Sequence, residues 1–140
     1  MNQQTHRLRL PGIIDQVRAA CDFVVSVAEQ AGLGDDSVFQ TQLAVEEVFT
    51  NIVEHGYQHD GGDKHIEIVI EISDKTFRIS IIDEAPPFNP LEKDDADPET
   101  DLWERENGGW GIYFVRQYMD DISYRFADER NHLILDKKRA

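Results

Sequence analysis

Three polar side chains whose types could serve metal binding or acid–base chemistry, Glu47, Asn51 and His55, follow one another at intervals of four residues. In an α-helix this spacing places them on one ribbon, at about 0°, 40° and 80° around the axis. The apolar residues beside them predict that this ribbon borders a buried face: Val45, Val48, Phe49, Ile52 and Val53. A carboxylate and an amide one turn apart can bind Mg²⁺ and deprotonate or position a hydroxyl. By itself, however, the spacing is more typical of a solvated helix face.

Two turn-forming segments downstream strengthen the chemical interpretation. A strand ending at Asp83 runs directly into residues 84–90 (EAPPFNP), which places a carboxylate at a strand end beside a rigid turn. Further on, Gly108, Gly109 and Gly111 precede an apolar helical pattern. Glycine amides at a helix N-terminus can hold an anion without any lysine, through unpaired N–H groups and the helix dipole.

The charge of the chain restricts its ligands. Its 140 residues include 28 Asp and Glu against 14 Lys and Arg, a formal net charge of −14. Nucleic acids and anionic membrane surfaces should therefore repel it, since binding to them requires clustered basic side chains. A polyanionic ligand would have to be held by backbone amides, a helix N-terminus or a divalent metal. We expect neither direct nucleic-acid binding nor membrane binding.

Composition and cysteine content indicate one cytoplasmic domain over residues 1–140. A hydrophobic fraction of 40% predicts a packed core, and this length is that of an ordinary single domain. The lone Cys21 fits a reducing compartment, and its apolar helical neighbours predict a buried thiol. The polar N-terminus is unlike a signal peptide, and no apolar run approaches the length of a membrane span.

Hydrophobic periodicity predicts an α+β two-layer sandwich. Strands are expected at 6–10, 65–73, 76–83, 121–126 and 132–137, and helices at 14–31, from within 34–37 to 56, and at 111–119. The strict alternation of 65–73 and 76–83 around Asp74-Lys75 predicts a hairpin with one buried face. The long irregular stretch at about 86–109 is interpreted as a functional lid.

Three segments together resemble a known fold family. Residues 47–57 (EVFTNIVEHGY) look like the N-box of the Bergerat-type (GHKL) ATP-binding fold, residues 83–90 (DEAPPFNP) are similar to its G1 box, and residues 108–112 (GGWGI) to its G2 box. The likeness is strongest to the bacterial anti-sigma factors that double as serine protein kinases, and it extends from about 7 to 138. It implies a mixed, mostly antiparallel sheet with helices on one face.

The resemblance also implies roles for individual residues. Glu47 would be the general base that accepts the proton of the attacking serine, Asn51 would coordinate the Mg²⁺ on ATP, and Asp83 would accept the adenine amino group. The nucleotide would be bound by residues of all three boxes: Asn51, His55, Asp83, Gly108, Gly109 and Gly111. Arg105, just before the G2 glycines, is a further candidate contact to phosphate, with a solvated surface arginine as the alternative.

The function predicted from this resemblance is an ATP-binding anti-sigma regulator with serine/threonine kinase activity towards a small anti-anti-sigma protein. A sigma factor or similar regulator would be its second partner, and the resemblance implies a homodimer. A binding-only regulator without phosphoryl transfer is the alternative. Glu47 favours the kinase, whereas Ala85 and Pro87 at preferred glycine positions, together with the acidic segment 94–101, favour the binder.

Two metal sites remain as weaker alternatives. A calcium loop is suggested by alternating acidic residues, although Thr100 stands where such loops need glycine: Asp95, Asp97, Glu99 and Asp101. A zinc site is suggested by four residues, although their spacing does not match that of any closed zinc site: His55, His59, Asp60 and His65.

Overall fold

Five β-strands form a single sheet in the computed structural model, which describes residues 3–92 and 115–139. The strands are β1 (Gln4–Pro11), β2 (His65–Ile72), β3 (Thr76–Asp83), β4 (Asp121–Ala127) and β5 (Arg130–Lys138). Their order across the sheet is β1-β2-β3-β5-β4, and every neighbouring pair is antiparallel. The strand that comes last along the chain therefore lies between β3 and β4.

Side-chain alternation gives the sheet one buried face. Along β2 the buried residues Ile66, Ile68, Ile70 and Ile72 alternate with residues such as Glu67 and Glu71, because successive side chains of a strand point to opposite faces. The same face continues through Phe77, Ile79 and Ile81 of β3 and Leu133 and Leu135 of β5. Their burial fixes the register, since a slip of one residue would expose this whole row to water.

Two helices cover that face. A 3-10 turn (Ile14–Gln16) leads into α1 (Val17–Gln30), and α2 (Asp35–Asn51) follows. Both helices contribute buried residues to the same hydrophobic core as the strands: Ala20, Val24, Val27 and Ala28 from α1, and Ala44, Val45, Val48 and Phe49 from α2. The core therefore lies between one layer of helices and one layer of strands.

Gly32 ends α1, as its position in the sequence predicts. The residue has φ +82°, the left-handed region that glycine enters without steric cost. Gly32 N–H donates to the Glu29 carbonyl (3.0 Å) and Leu33 N–H to the Ala28 carbonyl (3.1 Å). These two bonds form the motif that commonly satisfies the last carbonyls of a helix.

The α+β fold class is confirmed, and so are the five strands and two main helices, within a few residues at each end. The sheet differs from the mixed arrangement implied by the resemblance, since all its described pairs are antiparallel. The second helix was expected to continue to Gly56, but α-helical bonding stops at Asn51 and a π-helical turn (Ile52–Gly56) follows. Of the expected third helix the structure describes residues 115–118 as helical.

Candidate functional site

A cavity of about 420 Å³ opens between the end of α2, the turn after β3 and the first residues of β5. Its walls are mostly apolar, and a few polar side chains reach it: Asn51, His55, Gln58, Asp83, Tyr124 and Asn131. A mostly apolar pocket with a small number of placed polar groups is the usual form of a small-molecule site. The structure thus brings together three of the residues that the sequence singled out, Asn51, His55 and Asp83.

The π-helical turn begins directly after Asn51 and contains His55. Tyr57 N–H donates to the Ile52 carbonyl (2.7 Å), five residues back, which widens the last turn of the helix. Gln58 and His59 then adopt φ of 51° and 60° and bring the helix to an end. Single π-helical turns of this kind are frequent at functional sites. Here the turn leaves Asn51 half-buried at the cavity and His55 exposed at its edge.

Asp83 is the most enclosed acidic group of the site, with a relative exposure of 6%. Its Oδ1 accepts hydrogen bonds from Ala85 N–H and Asn131 Nδ2, both at 2.9 Å. Burial raises the pKa of the Asp83 carboxyl, although these two bonds act in the opposite direction. No described residue donates to Oδ2. One oxygen of the carboxylate is therefore committed to the protein, and the other is available to a ligand.

The turn after Asp83 accommodates Ala85 without backbone strain. Among the described residues, the non-glycine positions with positive φ are Gln58, His59, Asp128 and Glu129, so Ala85 lies outside the left-handed region. Its buried methyl group lies against Gly56, where an added Cβ would come within 3.2 Å of it. The alanine that departs from the G1 pattern therefore fits here because the facing helix end presents a glycine.

Asn131 and Tyr124 are functional candidates that the sequence analysis missed. Asn131 is paired with Asp83 in the β3–β5 register and is 5% exposed. Tyr124 lies on the edge strand β4, and its hydroxyl donates to Asn131 Oδ1. No local motif marks either residue, since their proximity to Asp83 depends on strand register.

Hydrogen bonds of the Tyr57 hydroxyl connect the end of the helix with the start of β2 and the end of β3. The hydroxyl donates to the His65 carbonyl (2.6 Å) and accepts from Glu84 N–H (2.7 Å). The Glu84 carboxylate in turn accepts from His65 N–H (3.0 Å). Burial raises the pKa of the Tyr57 hydroxyl, so this hydroxyl remains protonated. These bonds hold the strand end that carries Asp83 against the helix that carries Asn51.

Glu47 lies one turn before Asn51 and does not contribute to the lining of the cavity. It is half-buried, and its pKa is raised by burial first and then by the negative charges of Glu46 and Glu54. No hydrogen bond or ion pair joins its side chain to another described residue. A carboxylate with a raised pKa accepts a proton more readily near neutral pH.

Four predicted site residues lie outside the described ranges: Arg105, Gly108, Gly109 and Gly111. The same is true of the calcium-loop alternative and of the predicted lid beyond residue 92. The residues of the zinc alternative are described, and within 3–92 and 115–139 no group of three or more metal-ligating side chains is assembled.

Residues 10–137 match the sequence model of the histidine kinase-like ATPase domain. This match covers most of the chain. The chain belongs to the histidine kinase-like ATPase family. The resemblance found in the three sequence boxes is confirmed by this result and by the relatives described next.

Two bacterial relatives of this histidine kinase-like ATPase chain are 28% identical to it over the aligned residues. The anti-sigma F factor of Clostridium acetobutylicum is 28% identical over 116 residues, which are 83% of this chain and 80% of that protein. The serine-protein kinase RsbW of Staphylococcus epidermidis is 28% identical over 123 residues, covering 83% of this chain and 76% of the kinase.

Solved structures show the same fold. The RsbU and RsbW domains of Rv1364c from Mycobacterium tuberculosis superpose with a TM-score of 0.68 at 17% identity, over 98% of this chain and 33% of that one. This chain thus corresponds to about a third of the larger protein. The catalytic domain of histidine kinase ThkA gives a TM-score of 0.57 at 12% identity, over 95% of both chains.

No helix within residues 3–92 and 115–139 combines the length and the apolar character that crossing a lipid bilayer requires.

Proposed function

We propose that this protein binds ATP in the cavity, with the adenine 6-amino group donating to Asp83. The observation that carries the proposal is the buried Asp83 carboxylate at a mostly apolar pocket, one oxygen of which receives no hydrogen bond from any described residue. A flat heterocycle suits such walls, and an exocyclic amine is the donor that a single carboxylate oxygen recognises. The family relationship supports the same ligand.

Asn51 would be the protein's ligand to the Mg²⁺ that accompanies ATP. Its carboxamide makes no hydrogen bond to another described residue and lies at the cavity, so its oxygen is free to bind a hard cation. When bound, the ion would neutralise charge on the phosphates. An acidic protein needs this neutralisation, since its 28 Asp and Glu outnumber its 14 Lys and Arg. Gly108, Gly109 and Gly111 would add backbone N–H donors, and Arg105 and His55 would be further contacts.

The reaction we propose is transfer of the γ-phosphoryl group to a serine of a small anti-anti-sigma protein. The serine Oγ bonds to the γ-phosphorus as the bond to the bridging oxygen breaks, and ADP leaves with that electron pair. Glu47 would accept the hydroxyl proton, and its raised pKa suits it to this role. Positioning and charge neutralisation would supply most of the acceleration.

The proposed pathway is partner switching, in which the same protein also sequesters a sigma factor or similar regulator in the cytoplasm, as a homodimer. The support comes from relatives named as an anti-sigma factor and as serine-protein kinases. These names belong to proteins about 28% identical, and they motivate the choice of substrates in the assays below.

The nucleotide proposal is tested by Asp83→Asn. Because Oδ1 is held by two N–H donors, the new amide should keep its oxygen there and turn its NH₂ towards the ligand. The NH₂ group would then face the adenine amino group, and because both are hydrogen-bond donors they cannot bond to each other. Mg-ATP affinity should therefore fall about 100-fold. Mg-ITP, which presents a carbonyl at the same position, should bind the variant better than it binds wild type. Calorimetric titration of both nucleotides measures this, and wild-type protein that binds no Mg-ATP would refute the proposal.

The kinase proposal is tested by Glu47→Gln with Glu46→Gln as its matched control. Purified protein, Mg-[γ-³²P]ATP and an anti-anti-sigma protein should give phosphoserine on that protein. Glu47→Gln should lower the transfer rate about 100-fold or more while retaining ATP affinity, as expected when a general base is removed. Glu46 is exposed and its charge raises the Glu47 pKa less than burial does, so its substitution should leave transfer close to wild type.

A binding-only regulator is the second candidate, favoured by the position of Glu47 outside the cavity lining. In that case the anti-anti-sigma protein would bind the Mg-ATP form tightly and remain unphosphorylated. Glu47→Gln would then leave both nucleotide binding and partner binding unchanged. The two candidates thus share the nucleotide site and differ in the fate of the γ-phosphoryl group.

A further inference from the structure

Asn131 is the most heavily hydrogen-bonded side chain at the cavity. Its Nδ2 donates to Asp83 Oδ1 (2.9 Å), the Ala85 carbonyl (3.0 Å) and the Pro86 carbonyl (3.2 Å). Its Oδ1 accepts from Phe88 N–H (3.1 Å) and from the Tyr124 hydroxyl. A carboxamide offers two hydrogens and two lone pairs, so with five contacts its capacity is full and one of its hydrogens is shared between two acceptors.

These contacts determine the orientation of Asp83. Ala85 N–H and Asn131 Nδ2 both donate to the same oxygen, Oδ1; one donor belongs to the turn and the other to β5. Turning the carboxylate about its Cβ–Cγ bond away from this position would break both contacts. Asn131 therefore helps to fix the direction in which the second oxygen of Asp83 points.

The same amide holds the turn that forms one wall of the cavity. The Ala85 and Pro86 carbonyls and Phe88 N–H have left the strand ladder, and each bonds to the Asn131 side chain instead. Unpaired, such part-buried backbone groups would each be costly. The fixed shape of this turn therefore depends in part on the Asn131 side chain.

We propose that Asn131 is a positioning residue for nucleotide recognition: it orients Asp83 towards the adenine amine and fixes the turn over residues 85–88 that packs beside the base. This inference rests on the proposed ATP binding and extends it to a residue outside the N-box, G1 box and G2 box. Asn131 acts through Asp83. Tyr124 acts through Asn131, because its hydroxyl donates a hydrogen bond to Asn131 Oδ1.

A pH profile separates this role from a purely structural one. The Asn131 amide favours the charged form of Asp83, as do Ala85 N–H and the nearby His132, whereas burial and Glu84 oppose it. Within the described residues, the other titratable side chains at this strand end are His55 in the π-helical turn, Tyr57 just after that turn, and Tyr124 on β4. Removing the amide should therefore move the acid limb of ATP binding to higher pH.

The experiment measures Mg-ATP affinity from pH 5.5 to 8.5 for Asn131→Ala and Asn131→Asp, each as a ratio to wild type because ATP itself titrates. Asn131→Ala should bind about 10-fold more weakly on its plateau, with the acid limb shifted to higher pH. Asn131→Asp is isosteric but places a second carboxylate beside Asp83, so the pair shares a proton. Its affinity should be about 100-fold weaker at pH 8 and should recover as the pH falls, the opposite trend.

Two further variants keep the proposal falsifiable. Tyr124→Phe removes one donor to Asn131 and retains the ring, so it should fold normally and bind Mg-ATP about 3- to 10-fold more weakly. Asn89→Ala alters an asparagine of the same turn that bonds Leu91 N–H and not Asp83, so its profile should match wild type. Folded Asn131 variants with wild-type affinity and pH profile would overturn the inference, as would unchanged affinity in Tyr124→Phe. Wild-type protein that binds no Mg-ATP would instead refute the proposed function.

Discussion

The Asp83 carboxyl holds its proton to higher pH in the folded protein than in the unfolded chain. Burial raises its pKa, and the hydrogen bonds from Asn131 and Ala85 offset this only in part. Between the unfolded and the folded pKa, unfolding releases a proton, so the free energy of unfolding falls as the pH rises. The charge at Asp83 therefore makes the folded protein less stable.

Removing this charge should stabilise the protein in a pH-dependent manner. Asp83→Asn keeps an acceptor for the two N–H donors and cannot ionise. Without nucleotide, the stability of the variant relative to wild type should rise as the pH increases above about 4, and level off above the folded pKa. Urea unfolding at unit steps from pH 4 to 8 measures this difference. A difference that is the same at every pH would mean that Asp83 titrates alike in both states.

The sequence analysis identified the site residues that lie in local motifs and missed those that only strand pairing brings to the site. Asn51 and Asp83 occur in motifs whose local spacing is readable, and the structure places both at the cavity. Asn131 bonds Asp83 from 48 residues away, and only the pairing of β3 with β5 brings them together. Register depends on the packing of whole faces, so a lone asparagine at a strand start gives no signal by itself.

The end of α2 is joined to the sheet by close packing around the Tyr57 ring. A Cβ added at Gly12 would lie 2.5 Å from this ring, and one added at Gly61 would lie 2.5 Å from the Gly12 carbonyl and 2.6 Å from the ring. Gly12 N–H also donates to the Lys64 carbonyl (2.8 Å), which extends the pairing of β1 with β2. The helix end, the end of β1 and the start of β2 thus meet with no space for another carbon atom.

Gly61→Ala and Gly62→Ala form a matched pair of neighbouring substitutions that tests this junction. The methyl group at position 61 must displace backbone or the Tyr57 ring, so we expect a loss of about 1–3 kcal/mol in the free energy of unfolding. At position 62 nothing lies within 4 Å, and alanine should be neutral or stabilise by up to about 1 kcal/mol. Urea unfolding compares them, and equal effects would contradict the packing described.

Helix and strand periodicity predicted the elements because each has one buried face. The expected continuation of the second helix to Gly56 was wrong because the pattern of apolar residues persists through Ile52 and Val53 while the hydrogen bonding changes. A π-helical turn contains about one more residue than an α-helical turn, but it leaves no mark on the sequence pattern of apolar residues. The sequence therefore shows that these residues are buried but not how the last turn is wound.

Charge is divided unequally between the two layers of the molecule. No Lys or Arg occurs between Arg18 and Lys64, a stretch that contains most of α1 and all of α2 and carries nine Asp and Glu residues. The five strands contain seven Lys and Arg against five Asp and Glu. The helical layer is thus strongly negative and the strands are slightly positive, which suits the helical layer to a basic partner.

Salt and two sets of charge substitutions test this use of the helical layer. The partner identified by phosphotransfer or by binding should bind more weakly at 500 mM than at 50 mM NaCl. Asp22→Asn with Glu29→Gln, both exposed on α1, should weaken binding about 3- to 10-fold at low salt and reduce the salt dependence. Glu71→Gln removes an acidic side chain from the sheet and should change neither the affinity for the partner nor its salt dependence. Partner affinity that is independent of salt would exclude an electrostatic contribution from this layer.

The position of β5 between β3 and β4 has a consequence for biosynthesis. During translation β4 leaves the ribosome before β5. It cannot pair with β3, because β5, which lies between them in the sheet, has yet to be made. Asp83 likewise lacks its partner until residue 131 has emerged. We therefore expect nascent chains arrested before β5 to retain little affinity for nucleotide. Nucleotide would then act as a late ligand of the nascent protein, stabilising only chains whose last strand is in place.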